Sequence, residues 1–267
     1  MMPLTTTRVS SFLLCTFLAF NAQASLIVNI DVPDSRGDGD AGVPTIADFI
    51  DQNPDAGLTL SSTFFNSPGV GAGSSFGADF ATPQSIGGFT VETGNNGGTI
   101  GGDNGNNASD SGFNAGDEAH NDLNPITEGY AFNVQNNFVT IGNLLGNSSV
   151  GDTIILSTWG IGDNVGQDST FTVTYGTNTA AEGNVQSTLY NGPGEARDSD
   201  VGSIPFVNFT FVADGITDEI RFDISDNNGG TTTINAFTLA VVPVPEPSSL
   251  LLTMLGAGFL FRRKREA

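Results

Sequence analysis

Four stretches from residue 130 onward alternate apolar and polar residues with a period of two. They are Tyr130/Phe132/Val134, Phe171/Val173/Tyr175, Val207/Phe209/Phe211 and Ile220/Phe222/Ile224. A period of two puts every apolar side chain on one face of an extended strand, whereas a helix needs a period near 3.6. Each strand therefore has one dry face and one wet face, and a dry face must be covered by a second layer. Threonine fills much of the wet face, as at 170, 172 and 174.

Further extended stretches are expected at residues 26–30, 58–65, 88–93, 138–141, 153–159, 185–190 and 234–242, the last with Phe237, Leu239 and Val241 on one face. One helix is expected over 44–52. Pro44 suits its first turn, and Ile46, Phe49 and Ile50 share a face. Residues 94–128 are rich in Gly, Asn and Asp with few apolar anchors, and read as a long loop. Asn-Asn-Gly-Gly-Thr occurs at 95–99 and 227–231, and both copies read as hairpin turns. The fold expected is all-β, an antiparallel β-sandwich with jelly-roll topology preferred.

Both ends of the chain differ from this middle. Arg8, the apolar stretch 12–20 and Ala22-Gln23-Ala24 make a secretory signal peptide over 1–24, cut after Ala24 by signal peptidase. Residues 25–242 are the β-sandwich domain. It has no lysine or cysteine, and 3 arginines against 27 carboxylates give it a net charge of −24. Such a charge excludes nucleic acid, whose phosphates need cationic partners, and disfavours an anionic membrane surface. Without cysteine, disulfides play no part in its stability.

Residues 243–267 form a three-part tail. Pro243, Pro245 and Pro247 fix φ and remove backbone donors, so this segment is extended and unpaired. The apolar run 248–261 follows, read as a membrane-spanning helix. Its 14 residues would rise about 21 Å, short of a hydrocarbon core of about 30 Å. Arg262, Arg263, Lys264 and Arg265 then hold the C-terminus in the cytoplasm by the positive-inside rule. A plain anchor that is never cut would show the same run and basic cluster. The order Val244-Pro245-Glu246-Pro247-Ser248, apolar run, basic cluster also resembles the sorting signal of PEP-CTERM proteins. That resemblance implies recognition by an exosortase, a membrane peptidase, with removal of the tail near Pro-Glu-Pro. It further implies an exopolysaccharide-producing Gram-negative host.

The chemistry of the middle domain is less marked. Asp34, Asp38 and Asp40, and again Asp163 and Asp168, put hard oxygen ligands on turns, where Ca²⁺ would take 6–8 of them. Asp and Asn are also ordinary turn residues. Trp159 is the only tryptophan. It is either a platform for a sugar ring or a core residue at the end of an apolar strand. His120 stands alone in an acidic loop, and no nucleophile is set beside a base. Two readings remain. One is a non-enzymatic surface or matrix protein associated with exopolysaccharide, with calcium assisting glycan contact. The other is a secreted glycosidase or lyase using paired carboxylates on the same sandwich.

Overall fold

Three of the alternating stretches are strands in the computed structural model, and the fourth is one as far as Phe132, Val134 lying outside the described residues 24–30, 44–66, 82–94, 99–102, 126, 129–132, 137–159, 169–183, 206–226 and 232–244. In chain order the elements are β1 (Ala24–Asn29), α1 (Ile46–Gln52), a 3-10 turn (Pro54–Ala56), β2 (Thr63–Asn66), β3 (Gln84–Ile86), β4 (Phe89–Gly94) and β5 (Thr99–Gly102). There follow β6 (Gly129–Phe132), β7 (Asn137–Gly142), β8 (Thr153–Trp159), β9 (Ser169–Tyr175), β10 (Asn178–Gly183), β11 (Phe206–Val212), β12 (Glu219–Asp226), β13 (Thr233–Ile234) and β14 (Ala236–Val242).

They form a β-sandwich. One sheet has the order β11-β8-β14-β1-β2 and the other β10-β9-β12-β7-β4-β3, with a small third sheet β13-β6-β5. Among the described pairings, β1 with β2 is parallel and the rest are antiparallel. The dry faces meet in one core. Leu26, Val28, Leu156 and Leu239 come from the five-stranded sheet; Val139, Ile141, Phe171 and Val173 come from the six-stranded one. Phe222 and Phe237 cross the gap edge to face at 5.3 Å between ring centroids, an arrangement that suits the ring quadrupole.

The five-stranded sheet is covered on its other face too. Phe49 of α1 stands edge-on to Trp159 at 5.3 Å and near Phe64 at 6.1 Å. Ile27, Ile126 and Ala236 complete this second cluster. β1 and β14 are therefore buried on both faces, and this is why their sequences read as near-continuous apolar runs and do not alternate. Beside the aromatics lies a buried polar group. Asn53 Nδ2 donates to Asn208 Oδ1 at 2.7 Å and to Ser157 Oγ at 3.2 Å, and Ser157 Oγ donates to Asn208 Oδ1 at 2.6 Å.

The structure moves several expected boundaries. Thr45 is the N-cap of α1 and forms a capping box with Asp48, so Pro44 precedes the helix and is not in its first turn. Residues 58–65 are not continuously extended. A turn at 59–62, closed by Thr59 N donating to Ser62 Oγ at 3.0 Å, comes before β2. The expected loop 94–128 contains β5. Neither Asn-Asn-Gly-Gly-Thr joins a hairpin: β4 pairs with β3 and β7, not β5, and β12 pairs with β7 and β9, not β13 or β14. Residues 95–98 and 227–231 themselves lie outside the described residues. The expected strand 185–190 and the apolar run 248–261 lie outside the described residues.

Gly57 ends the 3-10 turn at φ +67°, and a Cβ there would lie 2.8 Å from Val242 Cγ2 and 3.1 Å from Ile155 Cδ1. Gly57→Ala is therefore expected to lower unfolding stability by about 1–3 kcal/mol, through left-handed strain and displaced side chains. The check is a lower urea midpoint with an unchanged slope.

Candidate functional site at the chain exit

Ala24 opposes Val241 across the β1–β14 ladder, so the chain enters and leaves the sandwich at the same end, through neighbouring strands at the middle of one sheet. The compact unit runs from Gln23 to Val244. The strand directions bring five turns to this exit end: 59–62 before β2, 87–88 between β3 and β4, 143–152 between β7 and β8, 176–177 between β9 and β10, and 213–218 between β11 and β12. Gly87 and Gly88, both at positive φ, supply the left-handed conformations that a two-residue hairpin turn demands.

Asp152 ties the exit down. It is only 8% exposed. Its Oδ1 accepts from Val244 N at 3.2 Å and its Oδ2 from Ser149 N at 2.7 Å. Its own backbone is held to the neighbouring turn: Ala213 N donates to Asp152 O at 2.8 Å, and Gly151 N donates to Ala213 O at 2.9 Å. One carboxylate thus joins the 143–152 turn to the last described residue of the chain, and Val244 itself is 52% exposed.

The next residue is Pro245, two residues into the tail that begins at Pro243. Residues 243–265 match the PEP-CTERM protein-sorting motif. That motif implies an exported protein, sorted by an exosortase through a transiently membrane-anchored tail. No curated protein matches the chain. Among solved structures it is similar to a carbohydrate-binding module of the β-sandwich superfamily, with 12% identity, 67% of this chain and 65% of that chain covered, and a TM-score of 0.26. It is also similar to a calcium-binding mutant of Bacteroides uniformis beta-glucuronidase 2, with 14% identity, 67% and 20% covered, and a TM-score of 0.31. A family GH115 4-O-methyl-alpha-glucuronidase matches at 11% identity over 42% of this chain, with a TM-score of 0.28. The chain spans only 14% of that enzyme's length. TM-scores this low carry no argument about the function of the domain.

Of the residues singled out from the sequence, Ala24 opens β1 and Val244 lies at the exit. Pro245, Glu246, Pro247 and the cluster Arg262, Arg263, Lys264 and Arg265 lie outside the described residues, as do Asp34, Asp38, Asp40, Asp163 and Asp168. Among the described residues no group of three or more His, Cys, Asp or Glu is placed to hold a metal. Trp159 is fully buried between Phe49 and Phe206. Its ring packs in the second core, and neither face is open as a sugar platform.

Two carboxylates at the exit end escaped the sequence reading. Asp152 follows a glycine and precedes a strand, as countless turn aspartates do, and nothing local marks it. Asp214 heads an Asp-Gly pair, which signals a turn, and to its partners within that turn the fold adds Tyr175 from another strand. Its Oδ1 accepts from Ile216 N at 2.8 Å, Thr217 N at 2.7 Å and Tyr175 Oη at 3.2 Å, and its Oδ2 from Thr217 Oγ1 at 2.6 Å. Asp214 N donates back to Tyr175 Oη at 3.1 Å. The Thr217 hydroxyl and the Ile216 and Thr217 amides lower the Asp214 pKa to about 2, because donors stabilise the charged form. Burial, foremost, pushes the Tyr175 hydroxyl upward.

A pKa lower in the folded state than in the unfolded state stabilises above the unfolded value and is lost as pH falls through the folded one. The Asp214 contribution should therefore be complete at pH 5 and disappear between pH 3.8 and about 2. Thermal melts should show Asp214→Asn less stable than the parent at pH 5, with the gap closing across that window. For Asp152→Ala, hydrogen exchange should show the Val244 amide losing protection while that of Ala240 persists. Stability should fall by about 1–3 kcal/mol, since two amides lose their acceptor.

Proposed function

We propose that this chain is a non-enzymatic protein of the cell surface or extracellular matrix. Signal peptidase cuts after Ala24 during export. The apolar run 248–261 then spans the membrane, an exosortase cuts near Pro245-Glu246-Pro247, and the sandwich works in the exopolysaccharide layer as an adhesive or scaffolding domain. The observation that carries this reading is the junction itself. The sorting motif begins where β14 ends, with Val244 tied to Asp152 and Pro245 next in the chain. The tail is thus an address joined directly to a finished domain.

We read that domain as a jelly roll. In chain order β1, β7, β8, β9, β10, β11, β12 and β14 trace the path, with β1-β14-β8-β11 adjacent in one sheet and β7-β12-β9-β10 in the other. Such a sandwich is a rigid platform whose end loops are free to vary. The carboxylate loops of Asp34, Asp38 and Asp40 and of Asp163 and Asp168 are where calcium would join a glycan to the domain.

Two measurements test the proposal together. The mass of the protein recovered from the host's extracellular fraction should lack residues 250–267, and the protein should be retained on the host's exopolysaccharide without releasing reducing ends. Retention lost in chelator and restored by calcium would place the ion in the contact. An intact tail would overturn the processing, and release of reducing ends would replace the scaffold with an enzyme.

A further inference from the structure

The start of the tail is poor in backbone donors. Pro243, Pro245 and Pro247 have no N–H, so across residues 243–247 the main chain offers two, at Val244 and Glu246. A protein that binds an extended segment grips it largely by its main chain, as an added strand is gripped. A peptidase has little of that kind to grip here. One of the two donors is also already in use: Val244 N donates to Asp152 Oδ1 at 3.2 Å.

The acceptor is fixed. Asp152 is buried, and its Oδ2 accepts from Ser149 N at 2.7 Å. Its backbone N donates to Ser149 O at 3.0 Å, and its backbone O accepts from Ala213 N at 2.8 Å. The residue after it, Thr153, pairs with Val242. Two turns and a central strand thus set the position of this carboxylate. The donor is held less firmly. The ladder with β1 ends at Val241 and the ladder with β8 at Val242. Val244 lies beyond both and is half exposed. Between them stands Pro243, whose ring fixes φ and leaves ψ free to turn. Moving Asp152 would break two turns, whereas a rotation at Pro243 carries Val244 away and leaves β14 paired.

We propose that Asp152 is a latch on the sorting signal: it holds the Val244 N–H that the exosortase must grip, and so slows removal of the tail from the folded domain. The inference rests on the reading that an exosortase cuts near Pro245-Glu246-Pro247, and adds to it a control point inside the domain. The carboxylate and the peptidase compete for the same hydrogen. The carboxylate is the stronger kind of acceptor, since an ionised partner shortens and strengthens a hydrogen bond. Asp152 lies 92 residues before Val244, so it reaches the signal only when the sheet is complete. The lifetime of the anchored form is then set by how often Val244 swings out, and Asp152 is a positioning residue for a reaction it does not touch.

The test follows tail removal from the full chain in the host by pulse-chase, with anchored and trimmed forms separated by mass. Asp152→Ala should lose its tail about tenfold faster than the parent, the factor expected for one hydrogen bond to a charged group. A Gly-Gly insert after Val242 should give a similar gain with Asp152 in place, because a glycine amide then takes the place of the Val244 amide. The insert also decides the matter where Asp152→Ala fails to fold. Val244→Pro removes the donor itself and should be cut more slowly than the parent. Asp214→Asn weakens the neighbouring turn without touching Val244, and should be cut at the parental rate. An insert variant cut at the parental rate overturns the latch and leaves the exosortase reading standing, as does Val244→Pro cut as fast as the insert. Asp214→Asn cut as fast as Asp152→Ala assigns the gain to loosened folding and also overturns the latch. No trimming of the parent overturns the exosortase reading, and the latch with it.

Discussion

The sandwich depends on the place of its last strand. β14 lies between β8 and β1 in the middle of the five-stranded sheet, hydrogen-bonded along its whole length to both. One face, through Phe237, Leu239 and Val241, closes the main core, and the other lies under the cover of α1 and the 3-10 turn. The pairing with β1 fixes where the chain enters, and the pairing with β8 fixes the 143–152 turn that carries Asp152. Removing this strand would divide the sheet and open two apolar layers to water at once.

The same placement makes the junction with the sorting motif abrupt. A domain that ended on an edge strand could release a few residues at little cost. Here a peptidase reaching for Pro-Glu-Pro meets a finished core just upstream, held by the Asp152 carboxylate.

How much of this was legible in the sequence depended on how local the cause was. Phe171/Val173/Tyr175 and Ile220/Phe222/Ile224 declared themselves because each strand has one wet face. The stretches of β1 and β14 were read as strands, the latter with one apolar face; their burial on both faces comes from α1 and the 3-10 turn, which the stretches themselves do not reveal. The two Asn-Asn-Gly-Gly-Thr segments misled, since their glycines serve a turn of any span and say nothing of which strands pair beyond it. Trp159 was ambiguous for a similar reason: an aromatic ending an apolar strand is core or platform according to what packs on it, and Phe49 comes from more than a hundred residues away. Asp152 and Asp214 bond within their own turns as turn aspartates do, but their links to Val244 and Tyr175 are fixed by topology and leave no mark on the local sequence. The tail was plain throughout, since extended prolines, apolar length and terminal charge are properties of the segment itself.

The position of β14 also sets a schedule. The middle strand of one sheet is made last, after nearly every other residue of the domain has left the ribosome. Until it arrives, β1 and β8 have no common neighbour, and the core stays open between them. Contacts of such long sequence separation form slowly. Closure of the five-stranded sheet therefore waits for the last strand of the domain, and the sorting motif is the next stretch of chain to be made.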